Sequence, residues 1–323
     1  MVEMIDKQTL VDVVIPAFNA QLYIAQTIKS VLLQSHHVNC IIVVNDGSTD
    51  QTARIVNDLI RLNPNTRITL INQENRGLAN ARNTGIKAAT APYIALLDAD
   101  DIWLENKLEK QLELFQKKKS APLGAVYCAY SLINEQSEPI QGKNLVIHPA
   151  LRGNVYRNLL TGNFISGSGS SILIKSEVFK DVGYFDETLK ASEDWDMWLR
   201  IAKKYQFDYV DENLVQIRVH ASNMQKDFSR MISSELAMLN KFERSGTRNY
   251  FLLLKIQTIL FKKKLAAQSI SGFEESEPWV KSQLTGPANQ IWRLILLLPN
   301  LAWGPIKMIK DTLSHQSKGS KSK

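Results

Sequence analysis

The sequence predicts an α/β fold, a mainly parallel sheet covered by helices. Short apolar runs alternate with amphipathic stretches through residues 11 to 97, and polar side chains recur where each apolar run stops. That is the pattern of strand-helix units that bind ligands at the C-terminal ends of their strands. Composition supports it: 323 residues, 44% hydrophobic and 22% charged, form an ordinary globular balance with one large core or two smaller ones. Disordered and fibrous classes are excluded.

The first strand is expected over Asp12 to Ala17, a short, largely apolar run that suits burial in a sheet. Tyr23, Ile24, Ile28, Val31 and Leu32 then fall on one helical face. Cys40 to Val44 reads as the second strand, the Asp46-Gly47-Ser48-Thr49-Asp50 segment as a turn, and Gln51 to Leu62 as a helix. Arg67 to Ile71, Leu78 to Ala89 and Tyr93 to Leu97 supply the third strand, a helix and the fourth strand. Asn19, Asp46, Asn75 and Asp98 all fall at strand ends. DIWLENKLEKQLELFQKKK reads as a helix from Ile102, acidic at its start and basic at its finish. A strand is expected at Ile172 to Ile174 and a helix over MWLRIAKKY.

Two acidic clusters stand out. LLDADD places Asp98, Asp100 and Asp101 directly after an apolar strand, where carboxylates are costly unless a cation or hydrogen bonds compensate them. A divalent ion, Mn2+ or Mg2+, supplies such compensation, because these ions favour oxygen ligands and complete their shells with phosphate and water. Capping of the following helix accounts equally well for Asp101 alone. In SEDWDMWLR, Glu193, Asp194 and Asp196 suit either a general base or the positive end of a helix dipole. The Asn45 to Ser48 turn and the glycines of NRGLANARNTG read on their own as loop and helix-end chemistry.

Taken in order, VVIPAFNA, VVNDGSTD, NRGLANARNTGI, LLDADD, GYFDETLKASEDWDMWLR and RVHASN resemble family-two glycosyltransferases of the GT-A fold, over about residues 11 to 225. The resemblance implies a Rossmann-like sheet, a nucleotide-sugar donor, most often a UDP-sugar, and inverting transfer to a hydroxyl of a glycan or lipid-linked acceptor in surface polysaccharide synthesis. It places Phe18 against the base, without the hydroxyl of the more usual tyrosine. It places Asp46 on the base, Asp98 near the ribose, and Arg82 where an arginine orders that pocket. It makes Asp100 the metal ligand, His220 a second metal or diphosphate contact, and Asp194 the general base. Glu193 becomes an acceptor contact or a cap, and Trp195 an acceptor wall or a core residue. Ser168 and Gly169 belong to a loop near the donor sugar and acceptor, although a plain turn before the next strand would look the same. Two other readings share parts of the pattern: a catalytically weak relative that binds glycan or protein, and a sugar nucleotidyltransferase. The latter lacks a glycine-rich basic loop near the N-terminus and leaves the Glu-Asp pair unexplained.

Charge separates the chain into a catalytic domain, residues 1–225, and an extension, residues 226–323. The first holds 23 Lys and Arg against 25 Asp and Glu, and the second 16 against 7. In the extension, Tyr250 to Lys264 and Ile291 to Lys310 read as helices in which aromatic and aliphatic residues adjoin lysines. That suits the interface of an anionic membrane, or a helical subdomain packed on the core. The tail from about residue 314 is expected to be disordered. No recognition motif accompanies the basic charge, so nucleic acid is not an expected partner. Cys40 and Cys128 lie in apolar runs without metal-site spacing, no run reaches the roughly 18 apolar residues of a spanning helix, and the N-terminus is unlike a signal peptide. The expected location is the cytoplasm, at the inner face of the plasma membrane.

Overall fold

The computed structural model describes residues 10–117, 122–140, 146–160, 162–165, 167, 169–220, 234 and 238. All belong to the first of two units into which the chain divides, Met1–Phe242. The predicted 225/226 boundary, the two basic helices and the tail lie outside the described residues.

The elements run β1 (Val11–Ala17), α1 (Ile24–Leu32), β2 (Cys40–Asp46), α2 (Thr52–Leu62), β3 (Ile68–Gln73), α3 (Leu78–Ala88) and β4 (Tyr93–Leu96). Then come β5 (Ile102–Trp103), α4 (Lys107–Lys117), β6 (Leu123–Ile133), α5 (Tyr156–Leu159), β7 (Leu173–Lys175), α6 (Ser176–Val182), α7 (Glu193–Ala202) and β8 (Gln206–Arg218). One sheet holds all eight strands in the order β3-β2-β1-β4-β7-β6-β8-β5. β1 to β4 are mutually parallel, β7 runs antiparallel to both β4 and β6, and β8 returns parallel to β6.

Every residue of β1 and β2 is buried, because helices cover both faces of the sheet. Ile41 and Val43 pack with Ile24, Ile28 and Leu108 on one side, while Ile42 and Val44 meet Ala81 on the other. Strand alternation produces this division. Asp12 is tolerated inside β1 because its carboxylate accepts bonds from Asn39 Nδ2 and the Thr90 and Ala91 amides.

Two expectations are corrected. Gly85 does not end a helix; it lies inside α3, where a Cβ would sit 2.3 Å from Val14 Cγ1, so glycine lets α3 rest directly on β1. The predicted helix at Ile102 begins instead at Lys107, because Ile102 and Trp103 pair with Gln216 and Val215 as β5. Asp101 therefore caps nothing there. Its carboxylate accepts Ser170 Oγ at 2.5 Å and the Arg218 amide at 2.9 Å, and these long-range bonds hold the chain in the sheet. Lys107 is buried with its Nζ 4.1 Å from the centroid of the Trp103 ring, and desolvation pulls its ammonium down to about 8.

Cys40 and Cys128 are buried free thiols. Among the described residues no helix is long and apolar enough to cross a membrane. Ser234 and Met238 are helical and buried, and Ser234 Oγ accepts the Ala191 amide at 3.0 Å.

Candidate active site

The site forms along the C-terminal ends of β1, β2 and β4. Phe18, just past β1, is 52% exposed, and a free aromatic face at that edge is available for stacking. Its neighbour Asn19 has φ 48°. The Asn19 amide donates to Ser48 Oγ, while its side-chain oxygen accepts the Thr49 amide, so the loops after β1 and β2 are stitched together.

Asp46 ends β2 and is buried. It accepts Gln73 Nε2 at 2.7 Å, the Arg76 amide at 2.9 Å and the Gly77 amide at 2.8 Å, fixing the loop that leads into α3. Gln73 also donates to Asn80, and Asn80 and Asn83 both donate to Glu187. Hydrogen bonds from Asn83 and Asn80 hold the Glu187 carboxyl below the usual range.

Arg82 joins the two acidic clusters. It is fully buried, its Nη2 lies 2.8 Å from Asp98 Oδ1 and its Nη1 lies 2.7 Å from Glu193 Oε1. Burial alone would lower the guanidinium pKa, but the charges of Asp98 and Glu193 outweigh it and raise it above the ordinary value. Gly169 covers this bridge: a Cβ there would lie 3.3 Å from Arg82 Nη2 and 3.2 Å from Leu96 Cβ. Ser168 lies outside the described residues. Ser170 completes the turn by accepting the Asp98 amide and donating to Asp101.

Asp100 meets His220, with Oδ2 and Nε2 2.7 Å apart. Burial, then the Asp98 charge, raises the Asp100 carboxyl, while His220 opposes the rise. Burial, then Asp100 and Asp98, pushes Asp101 well above the aspartate range. Arg218 braces the cluster from beneath, its Nε donating to the Asp100 carbonyl and its Nη2 to Gln26, while its guanidinium lies over Tyr23. Tyr23 in turn stacks on His220 with centroids 5.4 Å apart. A carboxylate oxygen beside an imidazole nitrogen suits Mn2+ and is compatible with Mg2+. Among the described residues no group of three or more His, Cys, Asp or Glu side chains is arranged to hold an ion. The pair therefore fits an ion that takes the rest of its shell from phosphate and water.

Glu193, Asp194 and Asp196 open α7 at its positive end. Asp194 is half-buried, with Oδ1 accepting the Trp195 amide at 2.7 Å and Oδ2 accepting Asn163 Nδ2 at 3.2 Å. Burial, then the Glu193 charge, pushes its carboxyl up to about 6. Asp196 points elsewhere and pairs with Arg200. Trp195 is buried, and its indole N–H donates to the Leu159 carbonyl, so its ring fills the interior between α5 and α7.

Hydrogen bonds thus gather Asp46, Arg82, Asp98, Glu193 and Asp194 into one site, with the Asp100–His220 pair following Asp98 in the same acidic run. Phe18 stands at its rim and Trp195 beneath it. The amide network of Gln73, Asn80, Asn83 and Glu187, the brace at Arg218 and the contact from Asn163 were not anticipated from sequence. Asn80 and Asn83 carried one signal, lying a helical turn apart on either side of Arg82, and Arg218 another, in RVHASN.

A twisted sheet that gathers two acidic clusters at its strand ends around a buried arginine defines a nucleotide-dependent α/β transferase. The chain belongs to glycosyl transferase family 2, whose model matches residues 12–183. It is 30% identical over 271 residues to an uncharacterized glycosyltransferase of Rickettsia typhi, a match covering 80% of this chain and 79% of that one. It is 28% identical to the Escherichia coli UDP-Glc:alpha-D-GlcNAc-diphosphoundecaprenol beta-1,3-glucosyltransferase WfgD, over 79% of this chain and 94% of that one. The fold is similar to the mannosyltransferase PcManGT of Pyrobaculum calidifontis, solved with GDP-Man and Mn2+. There the TM-score is 0.57 and the identity 18%, over 92% of this chain and 82% of that one. The protein is accordingly a nucleotide-sugar-dependent glycosyltransferase, which sets aside the nucleotidyltransferase reading.

Proposed function

We propose that this enzyme moves a sugar, with inversion, from a UDP-sugar to a hydroxyl of a lipid-linked glycan acceptor during surface polysaccharide synthesis, with Asp194 as general base. The observation that carries the proposal is the Arg82 bridge, which holds a donor-side carboxylate, Asp98, and the residue preceding the base, Glu193, on one guanidinium. Donor and acceptor chemistry are thereby fixed to each other. The lipid-linked acceptor rests on the similarity to WfgD, which acts on a diphosphoundecaprenol-linked sugar.

In this reading Phe18 stacks on the uracil. Asp46 already accepts three hydrogen bonds, and a carboxylate offers about four lone-pair sites, so it keeps one for a base N–H while holding the loop beside it. Asp98 faces the ribose, and Asp100 with His220 would hold Mn2+ or Mg2+ against the diphosphate. The bound ion would supply Lewis-acid neutralisation of the departing nucleoside diphosphate. Asp194, with a carboxyl near 6, is ionised at neutral pH yet basic enough to take the proton as the acceptor oxygen attacks the anomeric carbon. The Asn163 and Trp195 N–H groups hold that carboxylate in place. Location at the inner face of a membrane belongs to this same proposal, through the basic extension.

Calorimetric titration of the full chain with UDP, GDP and dTDP, each with and without Mn2+, tests the donor side. Manganese-dependent binding of UDP alone is the expected outcome, and failure of every nucleotide to bind folded protein overturns the donor assignment. Asp194→Asn should leave UDP binding intact and lower transfer by about 100- to 10,000-fold. Normal turnover would remove Asp194 from the role of base.

A further inference from the structure

The loop between α5 and β7 carries two features that the donor chemistry does not use. Asn163 donates its Nδ2 to Asp194 Oδ2, and its Oδ1 is buried with no hydrogen-bond partner. Its orientation is fixed chemically. An ionised carboxylate only accepts, so the NH2 end must face Asp194 and the carbonyl end is left over. A buried acceptor without a donor is costly, and natural proteins keep such groups mainly where something else supplies the partner.

The next residue, Phe164, is a large apolar side chain at 46% exposure. Gly162 lies behind it: a Cβ there would come within 3.1 Å of Phe164 Cζ and 3.2 Å of Cε2, so the ring rests on the bare glycine backbone. The loop is anchored to the base helix, since Trp195 Nε1 donates to Leu159 at the end of α5. An unpartnered carbonyl oxygen on the residue that holds the base, followed by a supported and exposed aromatic ring, matches the two surfaces of a pyranose. One takes a hydroxyl, the other the apolar C–H face of the ring.

We propose that Asn163 and Phe164 form the acceptor subsite, in which Asn163 Oδ1 accepts a hydroxyl of the receiving sugar next to the attacking one and the Phe164 ring packs against that sugar's face. This rests on the reading of Asp194 as base, because the subsite is defined by its place beside that carboxylate. Trp195 then contributes as an anchor for the loop rather than as a sugar-facing ring.

The test is ligand-observed saturation-transfer NMR on the full chain saturated with UDP and Mn2+. The probes are the methyl α- and β-glycosides of glucose, galactose, N-acetylglucosamine and mannose. UDP affinity is measured in parallel on wild type, Asn163→Ala, Phe164→Ala and Phe164→Tyr. At least one glycoside should bind wild type. Its affinity should fall about tenfold in Phe164→Ala, about threefold or more in Asn163→Ala, and little in Phe164→Tyr, as expected for loss of one ring contact or one hydrogen bond. UDP affinity should be the same in all four proteins. If no glycoside binds, or binding is indifferent to both alanine variants while UDP still binds, the subsite is overturned and the donor reading stands. If folded wild type binds no nucleotide, the donor reading fails, and glycoside binding lost in Phe164→Ala would still place a sugar on this loop.

Discussion

The two halves of the site treat their carboxylates differently. On the donor side, at the ends of β1 to β4, Asp46 is met by two backbone amides and a glutamine, and Asp98 by a buried arginine. On the acceptor side, where α7 begins, Asp194 is half-buried, lies beside Glu193 and receives one side-chain donor besides the amide of its own neighbour. The first arrangement satisfies negative charge and fixes shape. The second leaves a carboxyl pushed up to about 6, ready to exchange a proton near neutrality. One site therefore contains a preorganised binding half and a half set for chemistry, and Arg82 ties them together.

Removing the tie should have the largest effect. Arg82→Met leaves Asp98 and Glu193 without their shared counter-charge, and breaking a buried ion pair in this way costs about 3–5 kcal/mol. Urea denaturation should show that loss, and both UDP binding and transfer should fall with it. Arg82→Lys keeps the charge but cannot span two carboxylates in a planar fork, so it should recover part of the stability and little of the turnover. Wild-type stability in Arg82→Met would mean that the halves are held together by packing alone.

The donor half was far easier to read from sequence than the acceptor half. Its strands are continuous buried runs, its polar residues follow directly at strand ends, and Asp46, Arg82 and Asp98 were placed with their neighbours. The acceptor half depends on β6 and β8, which were not anticipated. β8 carries Asp211 and Glu212 in its middle, where the β6–β8 register shifts around Ala129, so strict alternation is lost. The same long-range pairing turned Ile102 and Trp103 from an apparent helix into β5. Asn163 gave no sequence signal, because an asparagine in a loop is ordinary until its partner across 31 positions is known.

The acid limb of the pH profile sharpens the comparison next. Asp194 must be ionised to accept a proton, so kcat/KM should be flat near neutrality and fall about tenfold per pH unit below about 6. Glu193→Gln removes a like charge and should move that limb to lower pH. Stability runs the other way. A carboxyl whose folded pKa lies above its unfolded value binds its proton more tightly in the fold, so this group's contribution is most favourable at low pH. It is lost as pH rises from the ordinary aspartate range through about 6. Asp194→Asn should therefore flatten that part of the stability profile. A limb unmoved by Glu193→Gln would show that desolvation alone sets the pKa.

The smallest effect is expected at Gly47, and it separates the halves most cleanly. Gly47 has φ +74°, and a Cβ there would lie 2.7 Å from the Asn75 backbone nitrogen, at the contact between the β2 turn and the loop that Asp46 holds. Gly47→Ala must adopt a left-handed conformation at about 1–2 kcal/mol and displace that loop. UDP binding measured by calorimetry should weaken by about tenfold as the Asp46 pocket opens. The acid limb should stay near 6, because nothing at the start of α7 has changed. A limb that moved with Gly47→Ala would show that the donor loop reaches the base by a path other than Arg82.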